Sequence, residues 1–280
     1  MRVGLLPTHG GGSYRLVMIF LAILGILIST LPVIIVTIMS FSAADTSSFP
    51  PTEFSFRWYG DVVDMFMTED GSSAQSVVSS VQTSIIVAAI VMVLSTAVCI
   101  PLAYALARGD RKIRTGMELL FTLPLVFPLV ILGIAFLLIA ESLRLEIGIW
   151  RIVIPHLALV LPFVLRNCIG AMNGISVELE EAAISLGAPP LRAIWDIVIP
   201  LMKAGILAGL IFALIISFYE FTITFFMYTI DVNTLPIWMY SRTVSSLDPS
   251  TLALSVFIIA ADVVLIVLVD KLIAGRANLF

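Results

Sequence analysis

The sequence predicts an all-α membrane protein with six transmembrane helices, and three observations support this fold class. Hydrophobic residues make up 60% of the 280-residue chain and charged residues only 12%, which is far more apolar than soluble globular proteins are. Apolar runs of about 20 residues, long enough to cross ~30 Å of hydrocarbon as a helix, recur along the whole length. These runs do not alternate apolar with polar residues, as barrel strands would. The composition therefore excludes a soluble domain and a soluble protein with one anchor.

Six apolar runs are long enough to span a membrane. They lie near residues 15–40, 77–107, 116–140, 151–172, 204–228 and 252–272. Small residues at 42–44 follow the first run, as they would follow a secretory signal. A run of 26 residues is too long for the apolar core of a cleavable signal, so we expect a retained first helix. We predict a tail at 1–14, a transmembrane domain at 15–275 and a second tail at 276–280.

The basic residues predict how these spans are oriented, because cytoplasmic segments carry an excess of Lys and Arg. With the N-terminus inside, eleven basic residues fall on cytoplasmic segments and four on outer ones. The outer four are Arg57, Arg144, Arg151 and Arg242. We therefore expect both termini to be cytoplasmic. Because the basic residues lie at span ends and form no patch, we expect membrane lipid but no nucleic acid as a partner.

The outer segment at 41–76 is acidic, with six carboxylates against one arginine. This charge pattern predicts a solvated loop. Trp58 and Tyr59 lie within it, and their rings suit the interface between membrane and water. We expect a short amphipathic segment around these two residues.

The long cytoplasmic connection lies between the fourth and fifth runs, at 173–203. Ser176 can cap the N-terminus of a short helix, and Glu178 and Glu180 stand in its first turns, where the helix dipole favours negative charge. Gly187 offers the left-handed residue that ends a helix, and the prolines at 189 and 190 prevent its resumption. The apolar side of this helix is formed by Val177, Leu179, Ala182, Ala183 and Leu186.

A second short helix is predicted from about 191 to 198. Its apolar residues are Leu191, Ile194, Trp195 and Val198, and it should stop before Pro200. We expect two short helices held against the inner face of the membrane. The small alanines of the first helix leave room for a groove on another protein to close around it.

A spaced signature runs through this connection. It reads Glu181, Ala182, Ala183, three residues, Gly187, nine residues, and then Ile197 to Pro200. This pattern resembles the EAA loop of ABC-importer permeases, although Ile199 stands where that family usually has Leu, a volume-conserving change. In that family the loop is a coupling helix that docks on the ATP-binding subunit. The resemblance implies that the coupling residues are Glu181, Ala182, Ala183, Gly187, Ile197 and Pro200.

The resemblance also implies a fold and a set of partners. The fold is the type I ABC importer permease fold of a multi-pass protein in the bacterial inner membrane. The partners are a cytoplasmic ATPase dimer, a second permease subunit expected to be a different chain, and an extracytoplasmic solute-binding protein. A phosphate-cradling loop needs Gly before Lys, and no lysine of this chain follows Gly. We therefore expect no enzyme activity and no cofactor in this chain, with ATP and Mg bound by the partner.

Away from the span ends, two acidic residues lie within predicted spans, Glu220 in the fifth and Asp262 in the sixth. Ser217, Glu220, Thr224 and Tyr228 would share one stripe of a continuous fifth helix. One hypothesis is that Ser217, Tyr219, Glu220, Thr224 and Asp262 line the solute path, where acids favour a cation. The alternative is that both acids are structural and pair with a partner subunit, with Arg151 or with Arg166.

A finer resemblance concerns the solute. The sequence at 54–59, the stretch Ser217 to Glu220 and the segment at 234–241 resemble spermidine/putrescine permeases of the PotC type. That group usually has two adjacent acids where this chain has Tyr219 and Glu220. The resemblance implies a polyamine or another small organic cation. The same patterns are shared with permeases for iron, thiamine, opines, amino acids and other small solutes.

Two other classes of function remain as alternatives. A secondary carrier could use Glu220 and Asp262 as a proton relay, although such a carrier would not need an EAA loop. An intramembrane enzyme would need a catalytic or metal site. The only histidines are His9 and His156, and neither has a Glu at helical spacing to complete a metal site.

Overall fold

The computed structural model describes residues 11–45, 49–68, 76–144, 148–246 and 249–277. Helices account for most of this part of the chain, and its only β pairing is an isolated bridge between Ser42 and Phe54. The predicted all-α class is confirmed. The helices are α1 (Gly11–Ser40), α2 (Arg57–Thr68), α3 (Val77–Arg108), α4 (Arg111–Val126), α5 (Leu129–Ser142), α6 (Trp150–Asn173), α7 (Val177–Ser185), α8 (Pro190–Ala193), α9 (Ile199–Tyr219), α10 (Thr224–Met227), α11 (Leu235–Ser246) and α12 (Pro249–Ala277).

Within the described residues, five helices are long and apolar enough to cross a membrane, and a sixth span exists if one bent pair is counted. The five lie at Tyr14–Ser40, Val77–Arg108, Trp150–Asn173, Pro190–Tyr219 and Pro249–Val267. Four predicted runs therefore correspond to single helices whose ends differ by a few residues, and the fifth run, 204–228, overlaps Pro190–Tyr219 only in part. The predicted tail at 1–14 lies mostly outside the described residues, and α1 already begins at Gly11.

The third predicted span, 116–140, is wrong as one continuous helix. It is divided into α4 and α5, whose axes differ by 96°. Phe127 between them is extended, and Pro128 precedes the first residue of α5. A proline donates no backbone hydrogen bond and pushes the residue before it out of the helical region. Pro128 is therefore the physical reason for the break.

The described residues divide into two compact units. The first, Met1–Asp64 with Arg242–Phe280, contains α1 packed with α12. In this unit the Trp58 indole N–H donates to the Ser42 carbonyl oxygen at 2.8 Å. The Tyr59 ring stacks on Phe41, with centroids 5.0 Å apart, and meets Phe257 edge-on at 5.5 Å. The short segment predicted around Trp58 and Tyr59 is the helix α2, and its two aromatic rings anchor it within the unit.

The second unit, Met65–Ser241, is built on α3, α6 and α9, which pack against one another. Gly205 marks the closest approach of α9 to α6, because a Cβ there would lie 2.7 Å from the Asn167 carbonyl oxygen. One helical turn later, a Cβ on Gly209 would lie 3.1 Å from a Val164 methyl group. The fully buried side chains around this contact include Val87, Val91, Val160, Val164, Val198 and Met202.

The fifth span differs from the prediction at both ends. The predicted short helix at 191–198 does not stop before Pro200, because α8 continues through a π-helical turn (Ile194–Val198) into α9. The Ile199 amide donates to the Ile194 carbonyl, five residues back. The ring of a proline clashes with the backbone carbonyl four residues earlier in a regular α-helix, and the wider π turn before Pro200 relieves this clash. At the other end the predicted helix to 228 is wrong, since α9 ends at Tyr219 and Glu220 is extended.

Candidate functional site

The helix α7 begins at Val177, directly after Ser176, whose backbone is extended as an N-cap residue requires. The Ser176 hydroxyl caps no backbone amide and donates instead to the Glu178 carboxylate. That hydrogen bond lowers the pKa of the exposed Glu178 carboxyl below its ordinary value. The predicted start of the helix is confirmed. The predicted cap is not formed, because the Ser176 hydroxyl bonds to the Glu178 side chain and not to a backbone amide.

The end of α7 is fixed by Gly187, which has a φ of +93°. Its amide donates to the Ile184 carbonyl oxygen at 2.9 Å, and the Ala188 amide donates to the Ala183 carbonyl oxygen at 3.0 Å. This pair of bonds is a Schellman motif, in which the left-handed residue is usually Gly because it has no Cβ. The predicted stop at Gly187 is confirmed.

Most of α7 faces solvent. Glu181 and Ala182 are exposed and Ala183 is half-buried. The apolar residues predicted for one side are also uncovered: Val177 and Leu179 are exposed, and Leu186 just after the helix is 90% exposed. The side of the helix that the sequence marks as apolar is therefore available to another protein.

An open hollow of about 340 Å³ lies where α7 turns into α8 and the π-helical turn. Three residues of the spaced signature, Ala183, Gly187 and Ile197, line this hollow. Pro200, the last residue of the signature, is exposed on α9 and is not part of the lining. The spacing in the sequence thus brings residues from both arms of the connection to one concave surface.

Glu180 differs from the rest of α7 because it is buried, with 6% of its surface exposed. Its carboxylate accepts from the Tyr104 hydroxyl at 2.9 Å and from Nε of Arg108 at 3.0 Å. The sequence pattern predicts only a helix-dipole role for Glu180 and does not predict this ion pair. The available signal was Arg108, a lone arginine closing an apolar run, whose charge needs a partner if it is partly buried.

A second polar cluster lies where α9 ends. The Glu220 carboxylate accepts from the backbone amides of Ile223 and Thr224, both at 2.8 Å, and from the Thr224 hydroxyl at 2.8 Å. The His156 imidazole contacts the Ser217 hydroxyl through Nδ1 at 3.0 Å and the Thr224 hydroxyl through Nε2 at 2.7 Å. Glu220 thereby caps α10, and all four side chains of the cluster are buried.

The structure brings together three of the five predicted path residues, Ser217, Glu220 and Thr224, but by a broken helix and not by a continuous stripe. Tyr219 is 41% exposed, whereas the side chains of the cluster are buried. Asp262 is half-buried on α12, in the other unit. Tyr228, which the stripe included, is exposed. His156 was missed, because its partners lie 61 and 68 residues away along the chain.

The suggested pairing of Glu220 with Arg151 is wrong. Arg151 donates to Glu141 at 2.7 Å, which joins the end of α5 to the start of α6. Arg166 is exposed and lines a separate hollow of about 230 Å³ together with Arg114 and Glu118. Glu220 is instead hydrogen-bonded locally by two backbone amides and the Thr224 hydroxyl, with the His156 ring beside it.

The family described as "Binding-protein-dependent transport system inner membrane component" matches residues 99–276, a range that includes the α7 connection and the buried cluster. The chain belongs to this family. It is therefore a membrane-embedded permease subunit of an ABC importer and not an enzyme.

Individual relatives of this permease are similar along most of its length. The spermidine/putrescine transport system permease protein PotC of Haemophilus influenzae is 23% identical over 248 residues, which are 89% of this chain and 92% of the relative. The putrescine transport system permease protein PotI of Escherichia coli is 26% identical over 87% of this chain and 85% of the relative. The molybdenum transport system permease protein ModB of Mycobacterium bovis is 30% identical over 66% of this chain and 78% of the relative.

A solved structure shares the fold. A chain of a bacterial ABC transporter involved in the import of the acidic polysaccharide alginate superposes with a TM-score of 0.64. The match covers 97% of this permease and 99% of that chain, at 19% sequence identity. The fold of the permease is thus that of an ABC importer subunit, as the resemblance of its loop implied.

Proposed function

We propose that this permease forms half of the translocation path of an importer for a polyamine or a related small organic cation. We propose also that α7 is the helix on which the ATPase of that importer docks. The observation that carries the docking proposal is the concave surface formed by Ala183, Gly187 and Ile197 beside an exposed helix.

The chemistry of α7 supports a protein partner. A short helix with small side chains can enter a groove closely, and exposed apolar residues gain free energy when that groove covers them. Leu186 is the most exposed of these residues, and Glu181 stands beside Ala182 as an acid able to anchor the contact. Burying one leucine-sized side chain contributes roughly 1.5–3 kcal/mol, so these residues would add to the stability of such a contact.

The cation proposal is supported by the similarity to PotC and PotI over most of the chain. Of the five path residues proposed from sequence, Tyr219 and Asp262 retain exposed surface, whereas Ser217, Glu220 and Thr224 are buried with one another. We propose that Tyr219, in the second unit, is available for direct contact with a cation, and that Asp262, in the first unit, is a separate candidate. The relatives also include a molybdenum permease, so an oxyanion is the second candidate solute.

The assembly we propose contains a cytoplasmic ATPase dimer, a second permease of a different sequence and an extracytoplasmic binding protein. Both termini and the α7 connection lie on the cytoplasmic side in this proposal, as the excess of basic residues there favours. ATP and Mg are bound by the ATPase. The loaded binding protein docks on the outer segments, and closure of the ATPase dimer moves α7, so that the path opens alternately to each side.

Uptake of labelled putrescine, spermidine and molybdate by cells with and without the chain tests the solute. We expect uptake of at least one polyamine to fall when the chain is removed and molybdate uptake to stay unchanged. The reverse pattern would replace the cation with an oxyanion.

Recovery of the ATPase with the affinity-purified permease tests the docking surface. Glu181→Lys should reduce the recovered ATPase. Asp231→Lys is the matched control, because it makes the same charge change at an exposed carboxylate outside the loop. Equal recovery with both variants would contradict docking on α7.

A further inference from the structure

The helix α7 has one buried side chain among its nine residues, and that side chain is an acid. Glu180 is 6% exposed, whereas the helix around it is exposed or half-buried. A carboxylate is costly to bury unless it is paired and hydrogen-bonded. Glu180 satisfies this condition through Tyr104 and Arg108, both from the end of α3.

Arg108 makes more than one contact at this point. It is the last residue of α3, where a positive charge is favourable to the helix dipole. Its Nη2 atom also donates to the Ile175 carbonyl oxygen at 3.2 Å, one residue before the Ser176 N-cap. The Arg108 guanidinium therefore bonds both to Glu180 within α7 and to Ile175 in the segment that leads into α7.

These contacts give α7 an attachment that the chain itself does not supply. Covalently, α7 is joined to α6 through 174–176 and to α8 and α9 through 186–189. No such connection leads to α3, which is 72 residues earlier at the Arg108–Glu180 pair. Glu180 is buried and Arg108 half-buried, with 8% and 19% of their side chains exposed, so the pair is screened less than a surface ion pair.

We infer that Arg108 and Glu180 are positioning residues that pass a displacement of α7 to α3. In this arrangement the coupling helix is linked to α6 and α9 through the backbone and to α3 through the ion pair. The inference rests on the proposed docking of the ATPase on α7. It differs from that proposal because Glu180 faces into the permease and would not touch the ATPase.

The test follows α3 and α9 separately in the complete, reconstituted transporter. A spin label at Val93→Cys reports on α3 and one at Phe212→Cys reports on α9, since both positions are exposed. Both native cysteines, Cys99 and Cys168, are fully buried, which keeps labelling selective. The spectrum of each label is recorded without nucleotide and with ATP and vanadate, so the readout needs no knowledge of the solute.

In the otherwise native transporter, both labels should respond to nucleotide. With Glu180→Gln, the spectral response of the α3 label to nucleotide should fall at least about fivefold, while the response of the α9 label should stay unchanged. Arg108→Gln should give the same loss, and the double variant no further loss, because the two residues act as a unit. Arg108→Lys keeps the charge and should lose less than Arg108→Gln.

The outcomes separate this inference from the proposed function. If no ATPase is recovered with the native permease, or neither label responds in it, docking on α7 fails. If both labels respond in the native transporter and Glu180→Gln leaves the α3 response intact, only the inference is overturned. Equal losses on α3 and α9, or losses that add in the double variant, would also overturn it, since they would indicate general loosening of the loop.

If Glu180→Gln does not assemble, the comparison of Arg108→Lys with Arg108→Gln decides. Equal losses of the α3 response in these two variants would reject charge pairing as the link.

Discussion

His156 and Glu220 lie side by side in the second unit, with Nε2 of the imidazole 3.4 Å from Oε2 of the carboxylate. The Thr224 hydroxyl sits between them and donates to Glu220, so its oxygen must accept from His156. Nε2 of His156 therefore carries a proton. Inside a membrane a broken helix must satisfy its free backbone groups internally, and this cluster does so for the start of α10.

The first prediction concerns Glu220. Glu220→Gln keeps the size of the side chain but turns an acceptor into an amide donor that faces the Thr224 amide and hydroxyl. Leaving a buried donor unsatisfied costs about 1–3 kcal/mol, so the thermal stability of the purified complex should fall. Ser217→Ala, which leaves the carboxylate capped, should cost less.

Transport kinetics decide between a cap and a solute contact at Glu220. With a cap, the maximal rate should fall alike for every transported solute and KM should change little. A normal stability together with a raised KM for cations alone would instead place Glu220 in the path.

The second prediction concerns His156. His156→Phe keeps a ring of similar size but removes both hydrogen bonds and leaves the Glu220 carboxylate without its ring partner. The free energy of unfolding should fall by no more than the cost of disrupting a buried pair, which is about 3–5 kcal/mol. The double variant with Glu220→Gln should lose less than the sum of the two single variants, measured by thermal unfolding. Strict additivity would mean that the two residues do not act together.

The third prediction uses two glycines at one helix contact. Gly205→Ala would place a Cβ 2.7 Å from the Asn167 backbone oxygen, which cannot move without shifting α6. Overpacking of this kind costs about 1–3 kcal/mol. Gly170→Ala on α6 is the control, because nothing lies within 4 Å of its Cβ and alanine favours a helix. If both variants unfold at the same temperature, α6 and α9 do not approach as closely as described.

The fourth prediction concerns the end of α7. Gly187→Ala forces a residue with a Cβ to a φ of +93°, which costs about 1–3 kcal/mol and is relieved if the turn changes shape. The permease should remain in the membrane fraction while ATP-driven uptake falls. Gly174→Ala, at the other end of the loop with a φ of −82°, should transport normally. Normal uptake by the Gly187 variant would argue against a fixed turn in coupling.

The α7 connection could be predicted closely because its signals are local. A serine at the N-cap position, acids in the first turn and a glycine before two prolines all lie within a few residues of one another, and the structure confirms the helix and its left-handed end, although the serine caps no amide. The Arg108–Glu180 ion pair and the His156–Glu220 contact could not be predicted. Arg108 and Glu180, for example, are 72 residues apart, and only the packed helices bring them together.

The broken third span shows the limit of a local signal. Pro128 lies at the break between α4 and α5, whereas Pro101, Pro124, Pro155 and Pro162 lie inside helices that continue through them. All five carry the same local penalty, and a bundle can satisfy the freed carbonyl from neighbouring helices. Which proline interrupts a span therefore depends on tertiary packing. The end of α9 is similar, because Glu220 can cap α10 only once the chain has turned.

The exposure of Leu186 bears on how the cell must make this subunit. If the ATPase covers α7 as we propose, a copy synthesised without it would keep an exposed hydrophobic residue of the type that holdase chaperones and quality-control proteases recognise. Surplus permease should thus be short-lived, and its abundance should track that of the ATPase gene product. Expressing the two genes in a fixed ratio would then matter as much for the survival of the subunit as for its activity.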